Sequence, residues 1–438
     1  MFKTFIDALK IKEIRRKIGY VLMMLVVIRI GSQIPVPGTD NASLQAFFAS
    51  QTNGAFNFLD AFTGGSLSSF SILALSITPY ITSSIIVQLL TIAIPALEEM
   101  QKDGEDGRKK LQNITRYVTV GLALIESIAM AIGFGNQGLL AEVNFVNVSI
   151  VTVCLTAGSA FLMWIGEQIT EKGVGNGISI VLLINIVSRI PSDFVLLYEQ
   201  FIKGKSLAKG GLAAIIILAV VIGLVVLVLI LNGAERKIPV QYSKKMQGRK
   251  MVGGQSSHIP LKVNTAGVIP VIFASSLMSL PSIIMQFAGK SAGSGWGSKI
   301  INMLNSNNWF KISDPLSSVG LILYIVLVVF FAYFYTSITF NPLEIADNMK
   351  KQGGFIPGIR PGKPTSDYLT KILNYIIFIG AAGLCIVAVI PFIFNGLFSA
   401  SVSFAGTSII IIVGVILETV KQIESMMLVR NYKGFLND

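Results

Sequence analysis

Long apolar windows alternate with short charged or turn-rich breaks along this chain. The windows fall at about 18–35, 72–95, 115–134, 149–168, 177–191, 211–231, 263–285, 317–338, 370–391 and 403–421. Stretches such as GGLAAIIILAVVIGLVVLVLIL (210–231) and VGLILYIVLVVFFAYFYTSI (319–338) match the roughly 20 residues that carry a helix across ~30 Å of hydrocarbon. Lipid offers the backbone no hydrogen-bond partner, so these windows must pair internally as helices. The ~10-residue alternating segments of a membrane barrel are absent. The pattern predicts an all-α polytopic membrane protein with ten transmembrane helices. The fifth window is short, and the second and seventh hold prolines, so their ends are the softest.

The second window departs from the rest. It opens on TGGSLSSFSILALSITPY (63–80), with two glycines, five serines, two threonines and a proline ahead of ITSSIIVQLLTIAI. Glycine and serine lower helix stability, so a break is expected at the front of this span. Thr78, Thr82, Ser83 and Gln88 give the following helix a polar face.

Composition sharpens the class. Of 438 residues 53% are hydrophobic and 13% charged, about half the ~25% charge of a soluble globule. Most of the 35 basic residues lie in one set of loops, from Lys3 to Lys17, Lys102 to Arg116, Lys172, Arg236 to Lys262, Lys350 to Lys371 and Lys421 to Lys433. By the positive-inside rule these face the cytosol, which places both termini there. The head FKTFIDALKIKEIRRK reads as an interfacial helix. No A-x-A cleavage site follows the first apolar run, so that run reads as a retained span.

Candidate chemistry is sparse. Cys154 and Cys385 sit in apolar spans, where a thiol behaves as a small hydrophobe. The single histidine, His258, lies in a basic loop and reads as a solvated residue. GVGNG (173–177) follows no strand and reads as a tight helix–helix turn, not a nucleotide loop. Within the spans the ionisable residues are Arg29, Glu126 and, near the edges, Glu167 and Glu418. An ion-coupled carrier would place more such groups near the midplane. Neither a cofactor nor a metal is expected.

Two cytosolic loops exceed what connection requires. In 232–262 the alternation around KKMQGRK, with Gly248 at its turn, predicts a protruding hairpin. In 339–369, Pro342, Pro357, Pro361 and Pro364 stiffen the chain around Arg360. A basic cap on anionic lipid accounts for the charge; rigid protruding loops favour a docking platform for a large cytosolic partner.

PYITSSIIVQLL, EDGRKKLQNITRY, ITEKGVGNGISI, RKIPVQY with HIPLKVN, AGVIPVIFASS and GGFIPGIRPGKPT together resemble the SecY family of protein-conducting channels. The resemblance runs from the first span to the tail. It implies two five-helix halves, 18–191 and 211–421, around a central pore, joined by an extracytosolic loop at 192–210. The interfacial helix (1–17) and the tail (422–438) flank them on the cytosolic side. It implies a re-entrant plug half-helix at about 56–70, carrying Phe56, Phe58, Leu59, Phe62, Gly64, Gly65, Leu67 and Phe70. It implies a pore ring of Ile77, Ile81, Leu182, Ile272 and Ile411, where the family usually has isoleucine in place of Leu182. Ile77 and Ile81 are four apart and share a helix face. A lateral gate would run along Thr82, Gln88 and Leu280, and Arg249, Lys250 and Arg360 would meet a motor or ribosome. The implied partners are SecE and SecG in the membrane, the SecA ATPase, the ribosome, signal peptides and preproteins, with anionic lipid around them. The activity implied is translocation and membrane insertion of unfolded polypeptides, without chemistry in this chain. The alternative is an uncoupled small-solute channel or secondary transporter using the same polar second span.

Overall fold

The structure, a computed structural model, describes residues 2–39, 60, 63–140, 144–203, 207–242, 245–247, 250–252, 256–287, 303–304, 309, 318–398 and 406–434. A short helix α1 (Phe2–Lys10) precedes α2 (Lys12–Gly31). Then come α3 (Thr78–Ala93), α4 (Pro95–Lys102), α5 (Gly104–Asn136), α6 (Phe145–Lys172) and α7 (Gly177–Phe201). The later helices are α8 (Leu207–Gly233), α9 (Ile269–Phe287), α10 (Ser318–Thr339), α11 (Pro342–Lys351), α12 (Lys363–Phe398) and α13 (Gly406–Gly434).

Most of each predicted apolar window lies on one of these helices. Among the described residues, six are long and apolar enough to cross a bilayer, and a seventh if the bent pair α3–α4 is one span. That pair turns by 103° at Pro95, where the missing amide and the extended Ile94 end one helix and start the next. Helices outrun their apolar windows because charged ends continue into water: α5 begins eleven residues before its window, and α12 begins at Lys363. The fifth window was expected to end at 191, yet α7 continues through Pro191 to Phe201. Proline removes one backbone bond and leaves the following residues free to stay helical.

The helices sort into two groups. In the first, α5 packs on α3 and α6, and α6 on α2 and α7, around Phe70, Phe134, Val151 and Leu155. In the second, α9 packs on α10, α10 on α12, and α13 on α8 and α12, around Val271, Tyr324, Val328 and Leu384. A third cluster spans the junction, with Ile28, Ile77 and Leu182 from one group beside Ile411 and Val415 of the other. The GVGNG turn helps hold the groups together. Asn176 caps α7 by accepting from the Ile178 and Ser179 amides, and the Gly175 amide donates to Gln422 of α13 at 2.7 Å.

The two long loops form one body. Strand β1 (Glu235–Tyr242) pairs antiparallel with β4 (Ser256–Lys262), and β2 (Lys245–Gln247) with β3 (Lys250–Val252), giving the expected hairpin. Gly248 itself lies outside the described residues. The second loop then adds β5 (Gly354–Phe355) to the other edge of β1. Ile238, Val240 and Leu261 of the hairpin bury against Met349, Ile356 and Leu369. Pro342 and Pro364 open α11 and α12, so only Pro357 and Pro361 flank Arg360.

Candidate pore and gate

The stretch ahead of α3 is built of successive turns. Gly64 and Gly65 adopt positive φ, as do Phe70 (φ 41) and Ser76 (φ 52). Of the described residues of the expected half-helix, Asp60 and Thr63 are helical, whereas 64–70 run as turns, because left-handed residues cannot carry a right-handed bond ladder. For the same reason α3 begins at Thr78 and not at 72. Phe56, Phe58, Leu59 and Phe62 lie outside the described residues.

This segment is firmly seated. Leu67 and Phe70 are buried, and Phe70 meets Phe134 edge-on with centroids 5.0 Å apart. The backbone pairs with the strand-like exit of α2: the Val36 amide donates to Phe70 O and the Ile72 amide to Ile34 O, both at 3.0 Å. Polar bonds fasten the front. Arg29 donates to Gly64 O at 3.3 Å, and the Ser188 hydroxyl donates to the same oxygen at 3.4 Å. The Asn185 amide donates to Ser76 Oγ at 3.0 Å. Asp60 accepts the Ser68 amide at 2.9 Å and pairs with Arg189 of α7. These bonds to α2 and α7 tie the glycine- and serine-rich segment to its seat.

Gly64 is required twice over. Its φ is +68, and an added Cβ would lie 2.8 Å from both the Cα and the carbonyl oxygen of Asn185. Backbone cannot swing aside as a side chain can. Gly64→Ala is expected to lower unfolding stability by about 2–4 kcal/mol, combining left-handed strain with overpacking. Gly65→Ala meets only Ser68 Oγ at 3.9 Å and should cost about 1–2 kcal/mol of strain alone. Thermal unfolding of the purified chain in detergent checks the order; equal losses would remove the contact with Asn185 as its cause.

The segment leads directly into Ile77, the first residue of the expected ring. Ile77, Leu182 and Ile411 are 1%, 6% and 1% exposed, and the half-buried Ile81 and Ile272 pack against the same cluster. Five aliphatic side chains, from the start of α3, from α7, α9 and α13, thus meet between the two helical groups. Their side chains carry neither charge nor hydrogen-bonding group.

The polar face of α3 is less open than expected. Ser83 is fully buried and donates to Pro79 O at 2.7 Å, while Thr82 donates to Thr78 O at 3.1 Å. Both hydroxyls are satisfied within their own helix, so Ser83 lines no passage in this conformation. Gln88 is half-buried on α3. Leu280 lies on α9 beside Pro281, and its side chain is outside the described set. Ile85 of α3 packs against the core of the second group, so α3 touches the other half on this side.

Of the residues expected to dock a partner, Arg360 is exposed on a turn between Gly358 (φ 83) and Gly362 (φ 101), braced by the Thr365 hydroxyl donating to its carbonyl at 2.8 Å. Lys250 lies in β3, and Arg249 falls outside the described residues. Sequence reasoning did not single out Asp60, Asn185, Ser188 or Arg189. The available signal was a carboxylate between aromatics in NFLDAF and a lone arginine closing the fifth window.

The SecY family model matches residues 71–420. The protein translocase subunit SecY of Halalkalibacterium halodurans is 44% identical, with all of both chains covered. A SecY structure whose plug domain stabilises the closed state of the translocation channel superposes with TM-score 0.62 at 18% identity, covering 94% of this chain and 92% of that one. Sec61 in the canine ribosome–channel complex from the endoplasmic reticulum gives 0.60 at 18%, with the same coverage. At such identity those structures speak for the fold, while the family match and the full-length relative settle membership: the chain belongs to the SecY family.

Proposed function

We propose that this chain is the channel-forming subunit of a protein translocase, passing unfolded preproteins across the cytoplasmic membrane and inserting membrane proteins into it. What supports the reading is that Ile77, Ile81, Leu182, Ile272 and Ile411 belong to one apolar cluster between the two helical groups, which would form the neck. A narrow apolar neck tends to dewet, so it passes few ions while binding no particular sequence. Residues 56–70 act as the plug in front of it, in line with the closed-state role of the plug domain in the SecY structure. Ten spans in two halves of five place both termini in the cytosol, with the joined loops 232–262 and 339–369 as the docking platform. The energy comes from outside, through a SecA-type ATPase or, as the ribosome-bound Sec61 complex suggests, a ribosome. SecE and SecG complete the membrane complex, and anionic lipid surrounds its basic face.

Protection of radiolabelled preprotein from protease, in vesicles holding this chain, its small membrane partners and the motor, tests the reading. No protection alongside passage of small solutes would favour the solute channel. The lateral gate adds a sharper expectation. A disulfide between Thr82→Cys and Leu280→Cys should stop transport when oxidised and release it when reduced, because the seam of α3 and α9 must part to admit a signal peptide. Full transport while bridged would place the gate elsewhere.

A further inference from the structure

The channel reading assigns no role to the buried Asp60 and the half-buried Arg29 and Arg189 around Gly64. We propose that Asp60 and Arg189 form an ionic latch that holds the segment before α3 shut, an inference that rests on the channel reading above. Asp60 is 3% exposed and sits on the segment itself; Arg189 belongs to α7, which lines the neck through Leu182. The latch has a second strand in Arg29, which donates from α2 to Gly64 O. Two cations from two helices therefore grip one short stretch, at an acidic side chain and a carbonyl.

The physics gives the latch a sign. While the segment is seated, Asp60 is out of water and Arg189 is largely so, and Arg189 compensates the carboxylate. When it leaves, a hydrated channel solvates both, so the intact pair opposes opening only moderately. Removing Arg189 leaves Asp60 buried and uncompensated when shut, and removing Asp60 leaves the largely buried Arg189 with Asp193 alone, whereas water solvates either when open. The loss therefore favours opening. Asp193, one turn along α7 and buried, also attracts Arg189 and softens the loss of Asp60. Apolar packing of Phe70 would let the segment slide; a desolvated pair fixes one position.

Asp60→Asn is the cleanest probe, because its amide oxygen can still accept the Ser68 amide and the Thr63 hydroxyl. Reconstituted with its membrane partners in planar bilayers, this variant is expected to raise resting ion conductance about tenfold, equivalent to 1.4 kcal/mol. Arg189→Gln should do the same, and the double variant should leak no more than the leakier single, since both act on one contact. Export of a reporter with a defective signal sequence should rise in parallel. Parent-level conductance in both singles, or fully additive effects in the double, would overturn the latch. So would singles that fail to accumulate in the membrane, since the pair would then be needed to fold the first helical group. Preprotein transport by the unmodified complex, run beside these, separates the failures: no transport there sinks the channel reading itself, whereas transport with unchanged leak in the variants sinks only the latch.

Discussion

Replacing Ile411 by asparagine is expected to turn a tight resting channel into a leaky one. Ile411 is 1% exposed and packs in the junction cluster beside Ile77 and Leu182. An amide buried there without partners costs roughly 1–3 kcal/mol, whereas a hydrated neck accommodates it. The closed–open balance should move toward opening by up to about a hundredfold. Conductance of reconstituted bilayers reads the leak directly, and export of preproteins with defective signals should rise with it. Ile272 and Ile81 are only half-buried, so asparagine there should leak less than at Ile411. Ile411→Leu preserves the apolar surface and should stay near the parent. An Ile411→Asn channel that transports normally and leaks no more than the parent would make these residues packing, with the passage elsewhere.

Reversing the charge at Arg360 should abolish transport without disturbing the membrane domain. The side chain is exposed, while the turn beneath it is bolted down: β5 pairs with β1, and Ile356 and Leu369 bury against the hairpin. A guanidinium on so stiff a base is preorganised to meet acidic or phosphate groups on a large partner, and it loses little freedom in doing so. Arg360→Glu replaces attraction by repulsion, so preprotein transport should fall by at least about tenfold, equivalent to 1.4 kcal/mol of lost interaction. Binding of the ATPase or of ribosomes to vesicles should weaken in step, and more so at low salt, where surface charges are least screened. Normal transport by Arg360→Glu with either partner would leave anionic lipid as the better occupant of this face.

How much of this was legible beforehand depends on whether the cause is local. The apolar windows were readable because a backbone in lipid has no choice but a helix, a requirement each segment meets alone. The hairpin at 232–262 and the turn at GVGNG were readable for a similar reason: alternation and glycine punctuation act over a few residues. The motifs around PYITSSIIVQLL and GGFIPGIRPGKPT carried the family, and with it the expectation of which residues form the ring.

Other features needed the folded chain. That α3 starts at Thr78 follows from left-handed Phe70 and Ser76, a conformation these residues keep only because the segment is wedged between α2, α5 and α7. That the two cytosolic loops are one body follows from β5 adding to β1, a pairing between stretches more than a hundred residues apart. The clearest case is the charges. Arg29, Asp60 and Arg189 each look like isolated faults in apolar sequence, and no local rule pairs them. Spans are dictated by the solvent that each helix meets, which the sequence alone determines. Which buried charge meets which is decided by how helices from distant parts of the chain pack, because a desolvated charge is tolerable only where another element brings its partner.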